Sequence, residues 1–581
     1  MSGVNTGSRS AADAAADVSA DNTVAWAPHY SDLWQGIAAR TPERRAVVTP
    51  LGEVTWGQLA REAGAVAAHL TRAGLVQGDA AATLLYNRAE FLTFLWACLS
   101  IGVAPVAINY RYRATEVREL LVDSNCRSFL FQATERDLAL EAADGLDIDL
   151  IEVDDEAQGS PDARQAPKGA GEQPVPRAAA GHAPSGTPVP YADVIAAGGS
   201  MPATAPSGAC MRLYTGGTTG SPKAVVWDLD TLLVVRRNST WGLIGAEPPT
   251  TFEEAVDIAC DPTRQQLVTL PMSPLLHGTA QSATMATLAI GGCVVLQGAP
   301  RMDVQRVYEL IREHRVNRVI VAGDVLALPL VEAAEAGDGL PDVTSIISSG
   351  MRLSADTKRR LHAQGDMTIV DMFASSEGGP YALGVSRSAD EVTTRMELTP
   401  DAVILDAEHR ALDPVPGTVG LIAFRGILPT GYFGDPVKTA SSFPVIRGRR
   451  HLVPGDWVRV EDDGRIELLG RGRAVVNTGG EKVFPAEVEQ ALLEHDAVSD
   501  AVVFGMPHPR YGEVVCAAVA VEDGADVTGG QLSAFVGQRL AGYKKPKHVF
   551  LRTSLDRSVT GKIPLERLRD EAAAELGPAR A

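Results

Sequence analysis

Apolar and polar positions along this chain alternate between two rhythms. Stretches at helical spacing, such as 57–73 and 114–123, are separated by short apolar runs such as 80–85 and 103–108. That alternation predicts a doubly wound parallel sheet with helices on its faces. The uncharged run from Phe91 to Ile108 resembles a membrane span, but Gly102 and Pro105 interrupt it where a spanning helix would continue. A helix ending at Gly102 and then a buried strand account for it. From Cys210 to about Asp371, apolar runs return at 210–214, 293–297, 318–323, 344–348 and 368–372, each followed by polar or glycine-containing residues and then helical spacing. Ligands of such sheets sit at the carboxyl ends of the strands, so the chemistry is expected just after these runs. Past Arg471 the texture changes to helical spacing near 486–494 and 530–540 with strands near 500–505, 514–521 and 547–551, the pattern of a compact α+β unit.

Two stretches break the rhythm. Residues 1–28 are rich in Ala, Ser and Asp and lack the basic and apolar segments of a signal or transit peptide, so they read as a disordered tail. Residues 155–208, rich in Pro, Gly and Ala with little to bury, read as a flexible surface insertion carrying no chemistry. The fold expected is therefore α/β: a large N-terminal domain of stacked α/β sheets over 29–470, a hinge at 471–474, and a small α+β C-terminal domain over 475–578.

Composition narrows the function. At 581 residues the chain exceeds one ordinary core. With 53 basic against 72 acidic side chains the net charge is −19, which argues against a nucleic-acid or anionic-membrane surface. The six cysteines, Cys98, Cys126, Cys210, Cys260, Cys293 and Cys516, form no C-x-x-C pair, as expected of buried thiols in a reducing cytoplasm. Nor do the 11 histidines form an H-x-H, an H-E-x-x-H or a Cys/His cluster, so no transition-metal site is expected.

The densest chemical signal is YTGGTTGSPKAV at 214–225. Its run of Thr215, Gly216, Gly217, Thr218, Thr219, Gly220, Ser221 and Pro222 leads to Lys223. Glycines let backbone N–H groups approach an anion closely, and the hydroxyls add donors, so the segment suits phosphate. The G-x-x-x-x-G-K-[ST] spacing of a Walker loop is not matched.

Further segments follow in order: PMSPLLHG at 271–278, SIISSGMRL at 345–353, MFASSEGG at 372–379, PGDW at 454–457, LGRGR at 469–473, GGEKVFPAEVE at 479–489 and TGKI at 560–563. Taken together, from about residue 29 to 570, these motifs make the chain resemble the adenylate-forming superfamily of acyl-CoA ligases, peptide-synthetase adenylation domains and luciferases. The resemblance implies ATP-dependent, AMP-forming activation of an acid, with MgATP and a small-molecule acid as ligands, at a site between the two domains. It implies that Phe373, where the family usually has tyrosine, faces adenine opposite Gly350, Met351 and Arg352. It further implies that Ser376 bonds the α-phosphate and Glu377 binds Mg²⁺, a cation that favours hard oxygen ligands shared with phosphates. Asp456 would accept the ribose hydroxyls, and Arg471 would donate to ribose or phosphate. Lys562 would bridge the α-phosphate and the attacking acid, and His277 would stand at the acid pocket. By itself a Ser-Ser-Glu turn is more often a helix cap, and a lone histidine after an apolar run is more often a core residue.

The chain also departs from the pattern. Where many relatives carry a hinge aspartate or lysine three residues past the linker arginine, it has Ala474, preceded by Arg473, and LDRSVTGKI lacks the proline common upstream of the catalytic lysine. The nearest likeness is to actinobacterial acyl-CoA ligases acting on steroid side chains. These share the GGTTG loop followed by V-x-W, the HGTAQSAT stretch and GGEKV. On that reading coenzyme A is the second nucleophile, passing Gly479, Gly480 and Lys482. A similar branch of actinomycete secondary metabolism activates nitrite with ATP and diazotises an aryl amine, and it stands as the alternative. A third reading, a nucleotide-binding protein without turnover, is opposed by the joint presence of Lys562, Glu377 and Asp456.

Overall fold

The computed structural model describes residues 28–155, 187–215, 222–299, 301–471, 476–478, 481–483, 485–508, 512–522, 524–540, 542–557 and 563–577. Its largest layer is a nine-stranded sheet. Six neighbouring strands run parallel, in the order Thr368–Ser375, Ser345–Ser349, Arg318–Val321, Val268–Pro271, Cys293–Val295 and Arg45–Thr49, and antiparallel strands close both edges. A second sheet of five parallel strands has the order Ala104–Ala107, Ala80–Leu84, Cys126–Gln132, Asp149–Val153 and Val189–Pro190. Strands buried on both faces require helices on both sides, and those helices carry the matching apolar stripes.

The helix Trp56–Arg72 shows why the local sequence folds this way. Thr55 and Gln58 form a reciprocal capping box at its start, and Trp56, Leu59, Ala63, Val66 and Leu70 bury one face at three- to four-residue spacing. The helix Ala89–Ile101 stops at Gly102, whose φ of 73° is left-handed, as the sequence predicts. Trp34, Trp56 and Trp96 meet edge to face where these helices cross, with centroids 5.7 and 6.1 Å apart. Among the described residues no helix is long and apolar enough to cross a membrane.

Three expectations need correction. The strand Cys210–Thr215 is not followed by a helix: the chain returns antiparallel as Lys223–Asp228, and the glycine-rich segment joins two strands of a small separate sheet. The β-branched pair Val225 and Val226, of which Val225 is buried, suits that return strand. The stretch 155–208 is not wholly a loose insertion either. Residues 156–186 lie outside the described residues, but Tyr191–Ala197 is a helix that buries Val194. The Ala205 N–H donates to Asp32 at 2.8 Å, and any side chain on Gly64 would sit 2.9 Å from the Gly199 carbonyl. Finally, residues 402–471 form a five-stranded antiparallel sheet in the order Ala411–Leu412, Ala402–Leu405, Val419–Phe424, Asp456–Val460 and Ile466–Arg471, which the apolar rhythm did not predict. Its strands are short and bury one face only, so their signal is weak.

The C-terminal region builds its own sheet around the hairpin Val498–His508 and Gly512–Val521, with His548–Arg552 parallel beside it. Glu489, on the helix Pro485–Leu493, is half-buried against this sheet and accepts the Val503 N–H at 2.8 Å. Burial raises its carboxyl to about 7, opposed by that hydrogen bond and by Arg557 and reinforced by Asp500. Between the unfolded and folded values the native state holds a proton that the unfolded chain releases. Stability contributed by this group is therefore full at low pH and is lost as pH rises toward 7. Glu489→Gln keeps an acceptor for Val503, so its thermal midpoint should gain on the wild type from about pH 5 to about pH 8; a constant difference across that range would exclude the buried carboxylate as the cause.

Candidate functional site

The strands Thr368–Ser375 and Gly378–Ser386 form a hairpin in which Ser375 opposes Gly378, leaving Ser376 and Glu377 as its two-residue turn. The turn is held from several directions. Ser375 Oγ and the Tyr381 hydroxyl lie 2.7 Å apart, and the Glu377 N–H donates to Ser375 Oγ at 3.2 Å. The Trp227 indole donates to the Ser376 carbonyl at 2.9 Å, and the Tyr432 hydroxyl donates to Glu377 Oε1 at 2.8 Å. Trp227 and Tyr432 belong to neighbouring strands, since Tyr432 pairs with Val225. Ser376 Oγ also hangs over the start of the helix Gly278–Ala289, 3.5 Å from where a Gly278 side chain would begin. A helix N-terminus with unpaired N–H groups beside a hydroxyl favours an anion.

The other expected residues gather around this turn unevenly. Thr215 pairs with Lys223 across the mouth of the first hairpin, and its hydroxyl donates to the Lys223 carbonyl at 3.4 Å. The Lys223 ammonium meets Asp435 at 3.4 Å, half exposed. Gly216, Gly217, Thr218, Thr219 and Gly220 lie outside the described residues. Gly350 adopts a φ of 85° with open space around it, and Met351 and Arg352 follow in a loop tied to the earlier helix Gly323–Ala336. The Asp324 N–H donates to the Arg352 carbonyl at 3.0 Å, and Gly323 comes so near that a methyl there would lie 2.3 Å from that oxygen. Phe373 packs edge-on to Tyr381 at 5.1 Å. Below it, the buried pair Lys358 and Asp371 closes at 2.9 Å, with the Asp371 carboxyl pushed up by burial and drawn back by Lys358.

Asp456 is buried and stands directly opposite Arg471 in antiparallel register, a pairing that a separation of 15 residues does not announce. Lys562, Gly479, Gly480 and the expected hinge residues Arg473 and Ala474 lie outside the described residues, while Lys482 pairs through its backbone with Asn477. Among the described residues no three His, Cys, Asp or Glu side chains converge to cage a metal. A single carboxylate at the turn fits Mg²⁺, which takes one or two protein carboxylates and fills its shell with phosphate and water.

Residues 34–433 match the model of the AMP-binding enzyme family, and residues 487–562 match that of the AMP-binding enzyme C-terminal domain. The chain is 33% identical to the medium-chain acyl-CoA ligase Mig of Mycobacterium avium, over 93% of this chain and 97% of that one. The chain belongs to the AMP-binding enzyme family. It is also 29% identical to the 3-oxocholest-4-en-26-oate–CoA ligase of Rhodococcus rhodochrous, over 94% and 96% of the two chains. The crystal structure of the anthranilate CoA ligase AuaEII with anthranoyl-AMP shares the fold, with a TM-score of 0.75 at 19% identity over 96% of this chain and 99% of that one.

In this AMP-binding enzyme three supporting residues escaped the sequence reading: Trp227, Tyr432 and Asn87. Asn87 follows the strand Ala80–Leu84, and its side-chain amide donates to the Ser273 carbonyl at 3.1 Å while accepting the Leu275 N–H at 2.7 Å. It thus pairs like a backbone unit with the loop that delivers His277 to the helix start. Its place just past a strand's carboxyl end was the available signal. Asn87→Ala removes both bonds, at a cost of about 2 kcal/mol. Amide hydrogen exchange should then quicken at 273–277 while the helix Trp56–Arg72 keeps its protection; equal loss in both would mean a global effect instead.

Proposed function

We propose that this enzyme is an ATP-dependent, AMP-forming acyl-CoA ligase acting on a carboxylic acid with an extended apolar body. Supporting this is an apolar wall leading away from the hairpin turn. Ile320, Ile347, Val370 and Met372 cluster with Ala283 of the helix Gly278–Ala289, and Val370 and Met372 remain half-buried. Nitrite has no carbon chain for such a wall to hold, and the named relatives are acyl-CoA ligases.

In the first step a carboxylate oxygen attacks the α-phosphorus of ATP, the bond to pyrophosphate breaks, and an acyl-adenylate forms. In the second, the coenzyme A thiol loses its proton to solvent, its sulfur attacks the acyl carbon, and AMP leaves. The segment Thr215 to Lys223 and the Ser376 hydroxyl bind the phosphates. Phe373 and the backbone of Gly350, Met351 and Arg352 flank adenine, and Asp456 with Arg471 hold the ribose. His277 faces the acid, and Gly479, Gly480 and Lys482 lie along the coenzyme A path. Mg²⁺ held by Glu377 together with the phosphates would neutralise charge on them. Lys562, carried by the small C-terminal domain, stabilises the charge that builds as the acid attacks. The hinge at 471–474 lets that domain serve both steps. The free thiols, five of them buried, suit a reducing cytoplasm.

Substrate-dependent AMP formation across long-chain and steroid acids with coenzyme A, against nitrite with aminobenzoates, tests the reading. A coenzyme A thioester is the expected product, and AMP made only with nitrite would overturn it. Lys562→Ala should slow pyrophosphate release by about 10²–10³-fold; near-normal release would remove Lys562 from the first step.

A further inference from the structure

The apolar wall has a polar floor. In the parallel sheet, residues in register share a face, and those two apart along a strand repeat it. Val370, Ile347, Ile320 and Pro271 form one such row. Two residues further from the hairpin turn, Thr368, Ser345, Arg318 and Thr269 form the next. The lower row faces the same helix, because Arg318 reaches Thr287 Oγ1 at 3.5 Å, and Thr287 lies one turn beyond Ala283.

Arg318 is 6% exposed. Among the described residues its guanidinium makes that one long hydrogen bond, its Nε has no partner, and it forms no ion pair with a carboxylate. Burial alone lowers it to about 10, so it stays charged at neutral pH. The Thr287 hydroxyl is already engaged by Thr269 at 2.7 Å and by the Ala283 carbonyl at 2.8 Å. Thr284, nearby on the helix, also buries an unpartnered hydroxyl. A charge buried without a counter-ion costs several kcal/mol. The cation buried against the other face of the sheet, Lys358 of the helix Ala355–His362, has Asp371. Arg318 lacks such a partner and sits at the end of the wall, about 13 Å of strand below Met372.

We propose that Arg318 forms the floor of the acid pocket and selects carboxylic acids carrying a second oxygen acceptor, a ketone or carboxylate, at the end remote from the reacting carboxylate. This rests on the ligase reading. A fully apolar acid would leave the guanidinium unpaired, whereas a distal oxygen would complete its hydrogen bonds. Because a bond to a charged donor contributes more than a neutral one, discrimination of about ten-fold or more follows.

The test uses the full chain with three acids of equal length: an alkanoate, the same acid with a terminal methyl ketone, and the dicarboxylate. Wild type should favour at least one oxygenated acid in kcat/KM by about ten-fold or more, and the two oxygenated arms tell a neutral from an anionic acceptor. Arg318→Met should erase the preference, the oxygenated acids falling to the level of the alkanoate in kcat/KM. It should also fold without loss of thermal stability, because it removes an unpaired buried charge. Arg318→Lys should retain part of the preference, and it supplies the comparison if the methionine variant does not fold. Equal kcat/KM for all three acids in wild type, or a preference that survives Arg318→Met, would overturn the proposal and leave the ligase reading intact. If no acid yields a thioester, the ligase reading fails. Calorimetric binding of the same acids then still decides whether Arg318 selects the distal oxygen.

Discussion

The whole site hangs on a two-residue turn. Ser376 and Glu377 are the tightest part of an edge hairpin, and a turn that short would wander without outside support. Its support comes from a different sheet: an indole N–H on the Ser376 carbonyl and a phenol on the Glu377 carboxylate. Both donors stand on neighbouring strands of that sheet, so the strand Lys223–Asp228 and the Ser-Glu turn are tied together by two hydrogen bonds. Backbone and side-chain acceptors are thereby satisfied while the Ser376 hydroxyl is left over the helix N-terminus. Preorganised groups of this kind require no rearrangement when charge develops.

Two cations buried against the same parallel sheet, one on a strand and one on the helix Ala355–His362, illustrate how charge is handled away from that turn. Lys358 is satisfied by Asp371 and by the Thr393 carbonyl at 3.0 Å. The pair stiffens the strand that carries Phe373 and leads into the turn. Arg318 occupies a comparable depth on the opposite face, without a counter-ion among the described residues. A sheet that neutralises one buried charge and leaves another bare separates a structural role from a recognition role. The bare charge lies where an extended acid would end.

Much of the fold was legible because its signals are local. The helices Trp56–Arg72 and Ala114–Asp123, the stop at Gly102 and the parallel strands follow from spacing and caps within a single element. Between 402 and 471 the strands are short and half-exposed, and partners far along the chain decide them, so no local rhythm marked them. The helix Tyr191–Ala197 was hidden for another reason: composition around it suggested a loop, and only contact with the strand and helix beneath gave Val194 somewhere to be buried. Of the site, motif residues such as Ser376, Glu377 and Asp456 stood out by their order along the chain. Asn87, Trp227 and Tyr432 did not, because each acts through a single long-range hydrogen bond or pair of bonds that leaves no pattern in the neighbouring residues.

By itself, the sequence determined that this chain is an α/β protein with a glycine-rich phosphate-type loop and a set of ordered motifs, since periodicity, turn chemistry and motif order are properties of a linear string. Only the tertiary structure decided that the strands flanking the loop are antiparallel, that Asp456 and Arg471 stand in register on paired strands, and that Arg318 shares a face with Ile320 two residues above it against one helix. Register between strands distant in sequence places those residues together, and register is set by the packing of whole sheets against their helices.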